Sequence, residues 1–181
     1  MSLTQPDRFD AFYRENIRTV LRWVIRLGGP LLQPEDVAQD VFAMAFRKAH
    51  TFREDQSEVA WLYGITRRVV ANARRRARFR VMLGLDSAPP ALSTEPGADA
   101  QLEVLRRRRI VQDALETLNA AHREAIVLVD LEERTAVEVA AMLGVAVGTL
   151  YSRLHHARKA FAAALEPRSA EIRSSLVRGE L

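Results

Sequence analysis

The sequence contains no cysteine among its 181 residues, which excludes disulfide bonds and thiolate metal sites. It shows no catalytic triad, and its four histidines lack a metal-ligand spacing with carboxylates. Long apolar runs are also missing: residues 21–27 are interrupted by Arg22 and Arg26, and the N-terminus has no apolar signal core. These absences predict a soluble, cytoplasmic, non-enzymatic protein with no cofactor, no metal ion and no membrane insertion.

Lysine is scarce, since Lys48 and Lys159 are the only two, and arginine therefore carries the positive charge. The net charge is +4 and the isoelectric point is about 10.1, which favours a polyanionic partner. Arginine suits forked contacts with phosphate and guanine. Ten of the twelve aromatic residues lie between Phe9 and Phe79, and this asymmetry suggests two domains of different character.

Helical periodicity runs through the first eighty residues. Gly28, Gly29 and Pro30 are expected to end one or two amphipathic helices, and Pro34 to begin another. Residues 51–58 break the periodicity and predict a loop, after which a helix should begin near Val59.

The helix that begins at Pro34 carries a polar stripe made of Asp36, Gln39, Asp40 and Arg47. Asp36 and Asp40 lie four residues apart, where like charges destabilise an isolated helix slightly. Two interpretations are open: a solvated face whose acids suit the helix N-terminus, or a docking face for another protein.

The following helix is strongly basic, with seven arginines and no acid in residues 67–80. Such crowding of like charge fits a surface that lies along phosphates. Nearby Phe52, Trp61 and Tyr63 could stack on unpaired bases, although Trp61 also fits a core position. The pattern therefore favours single-stranded nucleic acid over a duplex.

Residues 83–100 change composition, with prolines, glycines and serines but no basic residue, and predict a flexible acidic linker. A second helical block follows, in which Asn119 is a candidate helix cap. Glu166 and Pro167 are expected to end the last helix, leaving a polar tail. The predicted fold is all-α, with two small helical domains at residues 1–82 and 101–167, a linker at 83–100 and a tail at 168–181.

Residues 135–161 contain the capping and turn residues that are typical of a helix-turn-helix. Thr135 and Glu138 can form a capping box, and Gly144 suits a left-handed helix end before a second helix. The exposed side of that second helix has no acid, which suits the major groove, whereas an ordinary helical hairpin is the plainer interpretation. Its polar residues are Thr149, Tyr151, Ser152, Arg153, His155, His156 and Arg158.

Three stretches together carry a family resemblance: DVAQDVF at residues 36–42, WLYGIT at residues 61–66 and LGVAVGTLYSRLHHAR at residues 143–158. They resemble the signatures of bacterial RNA polymerase sigma factors. The two-domain layout is similar to the extracytoplasmic-function (ECF) group, which retains only sigma regions two and four. The resemblance spans about residues 9–165 and implies a protein that joins core polymerase and directs it to particular promoters.

The resemblance also implies roles for individual residues. The largest-subunit clamp and the flap of core RNA polymerase would be protein partners, and an anti-sigma factor is a further candidate partner. Core polymerase would be bound by Asp36, Gln39, Asp40, Phe42 and Arg47. The minus-ten promoter element would be melted and held by Phe52, Trp61, Tyr63, Arg67, Arg68, Asn72, Arg74, Arg75 and Arg78. The minus-thirty-five element would be read by Thr149, Tyr151, Ser152, Arg153, His155, His156 and Arg158.

Two other classes remain as alternatives. A stand-alone helix-turn-helix transcriptional regulator would share the residues 135–161 pattern, but it would not need the motif at residues 36–42. An RNA-binding protein or nuclease would account for the basic helix, but the sequence offers no carboxylate cluster for nuclease chemistry.

Overall fold

A computed structural model describes residues 3, 5–53, 55–85 and 99–178, and in these ranges the regular elements are helical with no strand. The predicted all-α class is therefore confirmed. The prediction of a flexible acidic linker falls mainly on residues 86–98, which lie outside the described residues.

Three long helices form an N-terminal bundle, defined here as residues 6–82. In chain order its elements are α1 (Pro6–Gly28), α2 (Pro34–Lys48), a 3₁₀ turn (Ala49–Thr51) and α3 (Glu58–Met82). Helix α1 ends before Gly29, whose φ of 76° is a left-handed value that glycine adopts without strain. Pro34 opens α2 as expected, and the Ser57 hydroxyl caps α3 by accepting the Ala60 amide at 3.3 Å.

The core of the N-terminal bundle is aromatic and aliphatic. Phe12, Trp23, Leu62 and Tyr63 are fully buried, and the Trp23 and Tyr63 rings meet edge to face at 5.2 Å. Burying a large apolar side chain contributes about 1.5–3 kcal/mol, so a few such residues hold the three helices together.

The C-terminal bundle, defined here as residues 99–178, contains four α-helices and a π-helical segment. Its elements are α4 (Asp99–Glu116), α5 (Ala120–Ala125), a π-helical segment (Ile126–Leu131), α6 (Ala136–Leu143) and α7 (Val147–Arg178). The Asn119 side chain caps α5 by accepting the His122 amide at 2.9 Å, as predicted. Helix α7 packs against α4, α5 and α6 through buried Leu150, Leu154 and Ala157.

Two features of the C-terminal bundle differ from the sequence prediction. The helix predicted to run to Leu131 widens into the π-helical segment after Ala125. Helix α7 continues through Pro167 to Arg178, whereas Pro167 was expected to end it. Proline removes one helical hydrogen bond and crowds the preceding turn, which weakens a helix at that point without forcing it to stop.

The two bundles pack against each other over a single continuous core. Helix α1 contacts α4, α5 and the π-helical segment, and α3 contacts α6. Leu27 of the N-terminal bundle and Leu118, Ile126 and Val127 of the C-terminal bundle all belong to this core. The bundles thus form one packed body in the free chain, although the sequence suggests two bodies on a tether.

Candidate nucleic-acid and polymerase interfaces

The predicted helix-turn-helix is present in α6 and α7. The Thr135 hydroxyl accepts the Glu138 amide at 3.3 Å, and the Glu138 carboxylate accepts the Thr135 amide at 3.0 Å, which completes the capping box. Gly144 turns the chain with a left-handed φ of 65°. Helix α6 and the part of α7 up to Glu166 are bent by 104° relative to each other. That angle lies in the range of about 90–120° that helix-turn-helix units show.

The first turns of α7 present a polar face without acids. Leu150 and Leu154 anchor the opposite side in the core. Tyr151 is exposed, and Arg158 is held by Asp130 through two hydrogen bonds of 2.6 and 3.0 Å. The structure therefore brings the predicted minus-thirty-five residues onto one accessible surface. Exposed are Thr149, Tyr151, Ser152, His155, His156 and Arg158, and Arg153 is half-buried.

Helix α3 turns part of its arginine face toward solvent. Arg68, Asn72, Arg75 and Arg78 are exposed. The Arg75 guanidinium donates to the Asn72 side chain at 3.4 Å, one turn earlier on the same helix. These groups can approach a phosphate backbone without rearrangement of the fold.

The other predicted minus-ten arginines are engaged by the C-terminal bundle. Arg74 forms a forked pair with Glu116, with both donor–acceptor distances 2.7 Å. Arg67 donates to Glu124 at 2.5 Å. Only 13% of the Arg74 side chain is exposed, whereas half of Arg67 is.

The three predicted stacking aromatics do not share one environment. Phe52 and Trp61 are half-buried and meet edge to face at 5.4 Å, at the edge of the N-terminal bundle. Tyr63 is fully buried, so the prediction of an accessible platform at this position is wrong for the packed chain. Tyr63 is buried because it lies on the inward face of α3, where its ring packs against that of Trp23. Burial and the nearby charge of Glu124 raise the pKa of the Tyr63 hydroxyl.

The predicted docking stripe on α2 is accessible except at one residue. Asp36, Gln39, Asp40 and Arg47 are exposed. Phe42 is buried with its ring 4.7 Å from that of Tyr13, so the prediction of a direct surface contact at Phe42 is wrong. Phe42 instead fixes α2 against α1 and supports the stripe from behind.

Sequence reasoning missed the charged residues between the bundles: Glu116, Arg123, Glu124 and Glu132. Glu132 pairs with both Arg22 and Arg26 of α1. The Arg123 guanidinium donates to the carbonyls of Leu115 at 2.7 Å and Leu118 at 2.9 Å. A signal was available, because Arg123 and Glu124 stand directly before an apolar run, where buried charges require partners.

The two interface carboxylates have opposite pKa shifts. Burial acts to raise the pKa of Glu116, but the hydrogen bond from Arg74 and the charges of Arg123 and Arg78 outweigh it and hold that pKa below the ordinary value of 4.5. Burial raises the pKa of Glu124, and its pairing with Arg67 opposes this only in part. The ionised form is thus favoured at Glu116 and disfavoured at Glu124.

The comparisons with known proteins identify the family. Residues 12–80 match the Sigma-70 region 2 family, and residues 108–161 match the Sigma-70 region 4 family. The ECF RNA polymerase sigma factor SigL of Mycobacterium tuberculosis is 33% identical over 159 residues, which cover 86% of this chain and 88% of SigL.

The chain belongs to the ECF sigma factors.

Other relatives of this ECF sigma factor agree with that assignment. The ECF RNA polymerase sigma factor SigE of Mycolicibacterium smegmatis is 31% identical over 172 residues, covering 92% of this chain and 65% of SigE. Among solved structures, the sigma factor RpoE in complex with the anti-sigma factor NepR from Bartonella quintana has a TM-score of 0.65 at 26% identity. That match covers 87% of this chain and 96% of RpoE. The structure of CnrH in complex with the cytosolic domain of CnrY has a TM-score of 0.63 at 26% identity, covering 90% of each chain.

Membership of the family settles the general activity. Sigma factors are non-enzymatic proteins that bind core RNA polymerase and promoter DNA and direct promoter-specific transcription initiation. In the described part of this sigma factor, no group of histidine, aspartate and glutamate side chains is arranged to hold a metal ion. Across residues 5–53, 55–85 and 99–178, no single helix is long and apolar enough to cross a membrane; α6 and α7 meet that criterion only as a bent pair.

Proposed function

We propose that the two bundles divide promoter recognition between them. The N-terminal domain, residues 1–82, would dock on core polymerase and open the minus-ten element. The C-terminal domain, residues 101–167, would read the minus-thirty-five element. The linker at residues 83–100 would pass along the polymerase, where its acidic composition suits a nucleic-acid channel. The cytoplasm is the proposed place of action, because sigma factors act on RNA polymerase and promoter DNA.

The docking role of α2 is supported by its exposed stripe. Asp36, Gln39, Asp40 and Arg47 project from one helix whose opposite side is fixed by buried Val37, Val41 and Phe42. A rigid helix with an accessible charged face suits a coiled-coil partner such as the clamp of the largest polymerase subunit. This accounts for two aspartates one turn apart, which an isolated helix would disfavour.

The minus-ten role of α3 is supported by its acid-free arginine face. Arg68, Arg75 and Arg78 can contact phosphates, while Asn72 offers a donor and an acceptor to a base edge. Phe52 and Trp61 lie at the edge of the bundle, where an extruded base could stack. Stacking contributes about 1–3 kcal/mol per base, which is comparable with the cost of unstacking it. Melting would therefore proceed without ATP.

The minus-thirty-five role of α7 is carried by one observation: its first turns hold an exposed, acid-free polar face, 104° from α6. A major groove about 12 Å wide admits such a helix. Arg153 and Tyr151 lie where a recognition helix contacts bases near its N-terminus.

An anti-sigma factor is a further proposed partner. The solved RpoE and CnrH structures are complexes of this kind, one with NepR and one with the cytosolic domain of CnrY. Because this chain shares their fold over most of its length, an inhibitor that covers both bundles would block promoter binding.

The decisive experiment compares two single arginine losses in the reconstituted holoenzyme. Arg75 is exposed on α3, and Arg108 is exposed on α4 and is not among the proposed DNA-binding residues. We expect R75A to weaken open-complex formation, measured by permanganate reactivity of the melted strand, and to reduce the salt slope by about one. Binding to a minus-thirty-five duplex should change little, and R108A should resemble the unmodified chain in both assays. Equal losses in both assays for R75A would contradict the assignment.

A dimeric helix-turn-helix regulator is the alternative. It would bind a palindromic duplex without polymerase, whereas the proposed function requires co-purification with core polymerase and run-off transcription from a linear promoter. Failure of both with the fold intact would favour the regulator.

A further inference from the structure

A cleft of about 620 Å³ lies where the two bundles meet. Small-molecule sites usually have volumes of about 300–1,000 Å³ and are common at such boundaries. One wall of the cleft is a face of α3 that runs from Arg67 to Arg78, and the other is formed by the end of α4 and the beginning of α5. The rise of an α-helix places those two arginines about 16 Å apart along the axis. The cleft is therefore long enough for a molecule of the size of a nucleotide.

The walls of the cleft are positively charged. Five arginines line it but only two glutamates do, so positive charge is in excess. The arginines are Arg67, Arg74, Arg75, Arg78 and Arg123. They are close enough to repel one another, because burial together with the charges of Arg74 and Arg78 holds the pKa of Arg123 below its ordinary value. An anion in the cleft would relieve this repulsion.

Two of the five arginines are available to a ligand. Arg67 and Arg74 already pair with carboxylates of the C-terminal bundle, and Arg123 donates to backbone carbonyls. Arg75 and Arg78 are exposed, and neither forms an ion pair within the described part of the chain. They lie three residues apart on α3, so their guanidinium groups are neighbours. Two adjacent phosphate groups could each accept from one of these forks.

The cleft also has an apolar lining. Leu27, Val70 and Leu118 contribute to it and are almost fully buried, so they form its floor. Exposed Ala71 and Ala120 lie beside them, and their small side chains leave the space above the floor open. An inorganic anion gains nothing from such a floor, whereas a flat nucleobase is stabilised by covering it. The combination indicates a ligand with an anionic end and a ring.

We propose that this cleft binds a nucleoside diphosphate, with its two phosphates on Arg75 and Arg78 and its base on the apolar floor. The two free forks match two phosphate groups, and the excess positive charge matches their negative charge. The binding does not depend on the proposed minus-ten role of α3, and it is tested without DNA or polymerase.

The first test is calorimetric titration of the free full-length chain with guanosine diphosphate, adenosine diphosphate, pyrophosphate and guanosine. Both nucleotides should bind at least about tenfold tighter than pyrophosphate, because only they cover the apolar floor. They should also bind at least about tenfold tighter than guanosine, which has no group for the arginine forks.

A matched pair of variants tests the phosphate contact. Arg78→Gln removes one fork, and affinity for both nucleotides should fall by about tenfold, since a hydrogen bond to a charged group is lost. The control is Arg76→Gln, which changes the net charge equally. Arg76 is exposed on the same helix and is not among the residues that line the cleft. Its loss should change the affinity by less than about twofold.

A second pair tests the space inside the cleft. Ala71→Glu places a carboxylate over the floor and among the arginines, so nucleotide affinity should fall by at least about tenfold. Ala160→Glu adds the same charge at an exposed position of α7 and should change the affinity by less than about twofold. Thermal unfolding followed by circular dichroism checks that each variant is folded.

Four results would each overturn the proposal: no binding of either nucleotide, pyrophosphate binding as tightly as the nucleotides, equal losses in R78Q and R76Q, or unchanged affinity in A71E. Equal affinity for pyrophosphate would show only a general attraction of anions to a basic surface. The proposed function fails separately. If R75A weakens open complexes while no nucleotide binds, only the cleft proposal is wrong. If R75A is silent while R78Q loses nucleotide affinity, only the minus-ten assignment is wrong.

Discussion

The turn between α6 and α7 allows one prediction with an internal control. Gly144 and Gly148 lie four residues apart, and a Cβ added at either would meet nothing within 4 Å. They differ in backbone conformation, because Gly144 has a φ of 65° and Gly148 lies in the first turns of α7. Replacing each glycine by alanine adds the same methyl group at both positions. The difference in stability between the two variants therefore measures the effect of backbone conformation alone.

The magnitudes follow from the two conformations. A left-handed conformation destabilises an alanine in the folded chain by about 1–2 kcal/mol. Alanine also lowers the conformational entropy of the unfolded chain, which stabilises the folded state by about 0.4–1 kcal/mol. G144A should therefore lower the unfolding free energy by about 1 kcal/mol. G148A should gain about 0.5 kcal/mol, since alanine is the better helix former.

The separation of about 1.5 kcal/mol corresponds to about 3–6 °C in melting temperature for a chain of this size. Thermal unfolding followed by far-ultraviolet circular dichroism measures it. Equal melting temperatures for the two variants would refute the reasoning that Gly144 is required by its φ.

Two further predictions concern the buried charges. R123M should lower the unfolding free energy, measured in urea, by about 3 kcal/mol, because the carbonyls of Leu115 and Leu118 lose their donors. The control R108M, on the exposed face of α4, should change that free energy by less than about 0.5 kcal/mol. Similar losses in the two variants would contradict a structural role for Arg123. The second prediction concerns pH. The stability contributed by ionised Glu116 is present above pH 4.5 and is lost as the pH falls through the lowered pKa of this residue. The stability contributed by protonated Glu124 is present below pH 4.5 and is lost as the pH rises through the raised pKa of that residue. The melting temperature of E124Q should therefore rise relative to that of the unmodified chain as the pH increases above 4.5, and a constant difference would contradict a raised pKa at Glu124.

Local structure was predictable wherever one residue type determines the backbone. The capping box of Thr135 and Glu138, the cap at Asn119 and the left-handed turn at Gly144 all follow from short-range hydrogen bonding and sterics. Helical periodicity likewise placed α2 and α3 to within a residue or two at their beginnings. These features need no knowledge of what packs against them.

Tertiary contacts were less predictable. The sequence positions of Tyr63 and Phe42 are compatible with either the core or the surface. Both side chains are buried because they pack against aromatic residues of α1. The pairing of Arg74 with Glu116 joins residues 42 positions apart, across a segment whose composition suggests separation. The sequence shows each charge but not its partner, because pairing depends on how two bundles meet.

The place of Trp23 has a practical consequence. Its indole is fully buried in α1, with Tyr63 of its own bundle on one side and the Arg134 guanidinium of the other bundle 5.9 Å from the ring centre. Loss of the packing between the bundles would remove that cation and expose the ring to water, so the emission of the indole should then shift to longer wavelength. Since the chain has two tryptophans, replacing Trp61 by phenylalanine leaves Trp23 as a built-in optical reporter of the contact between the two bundles.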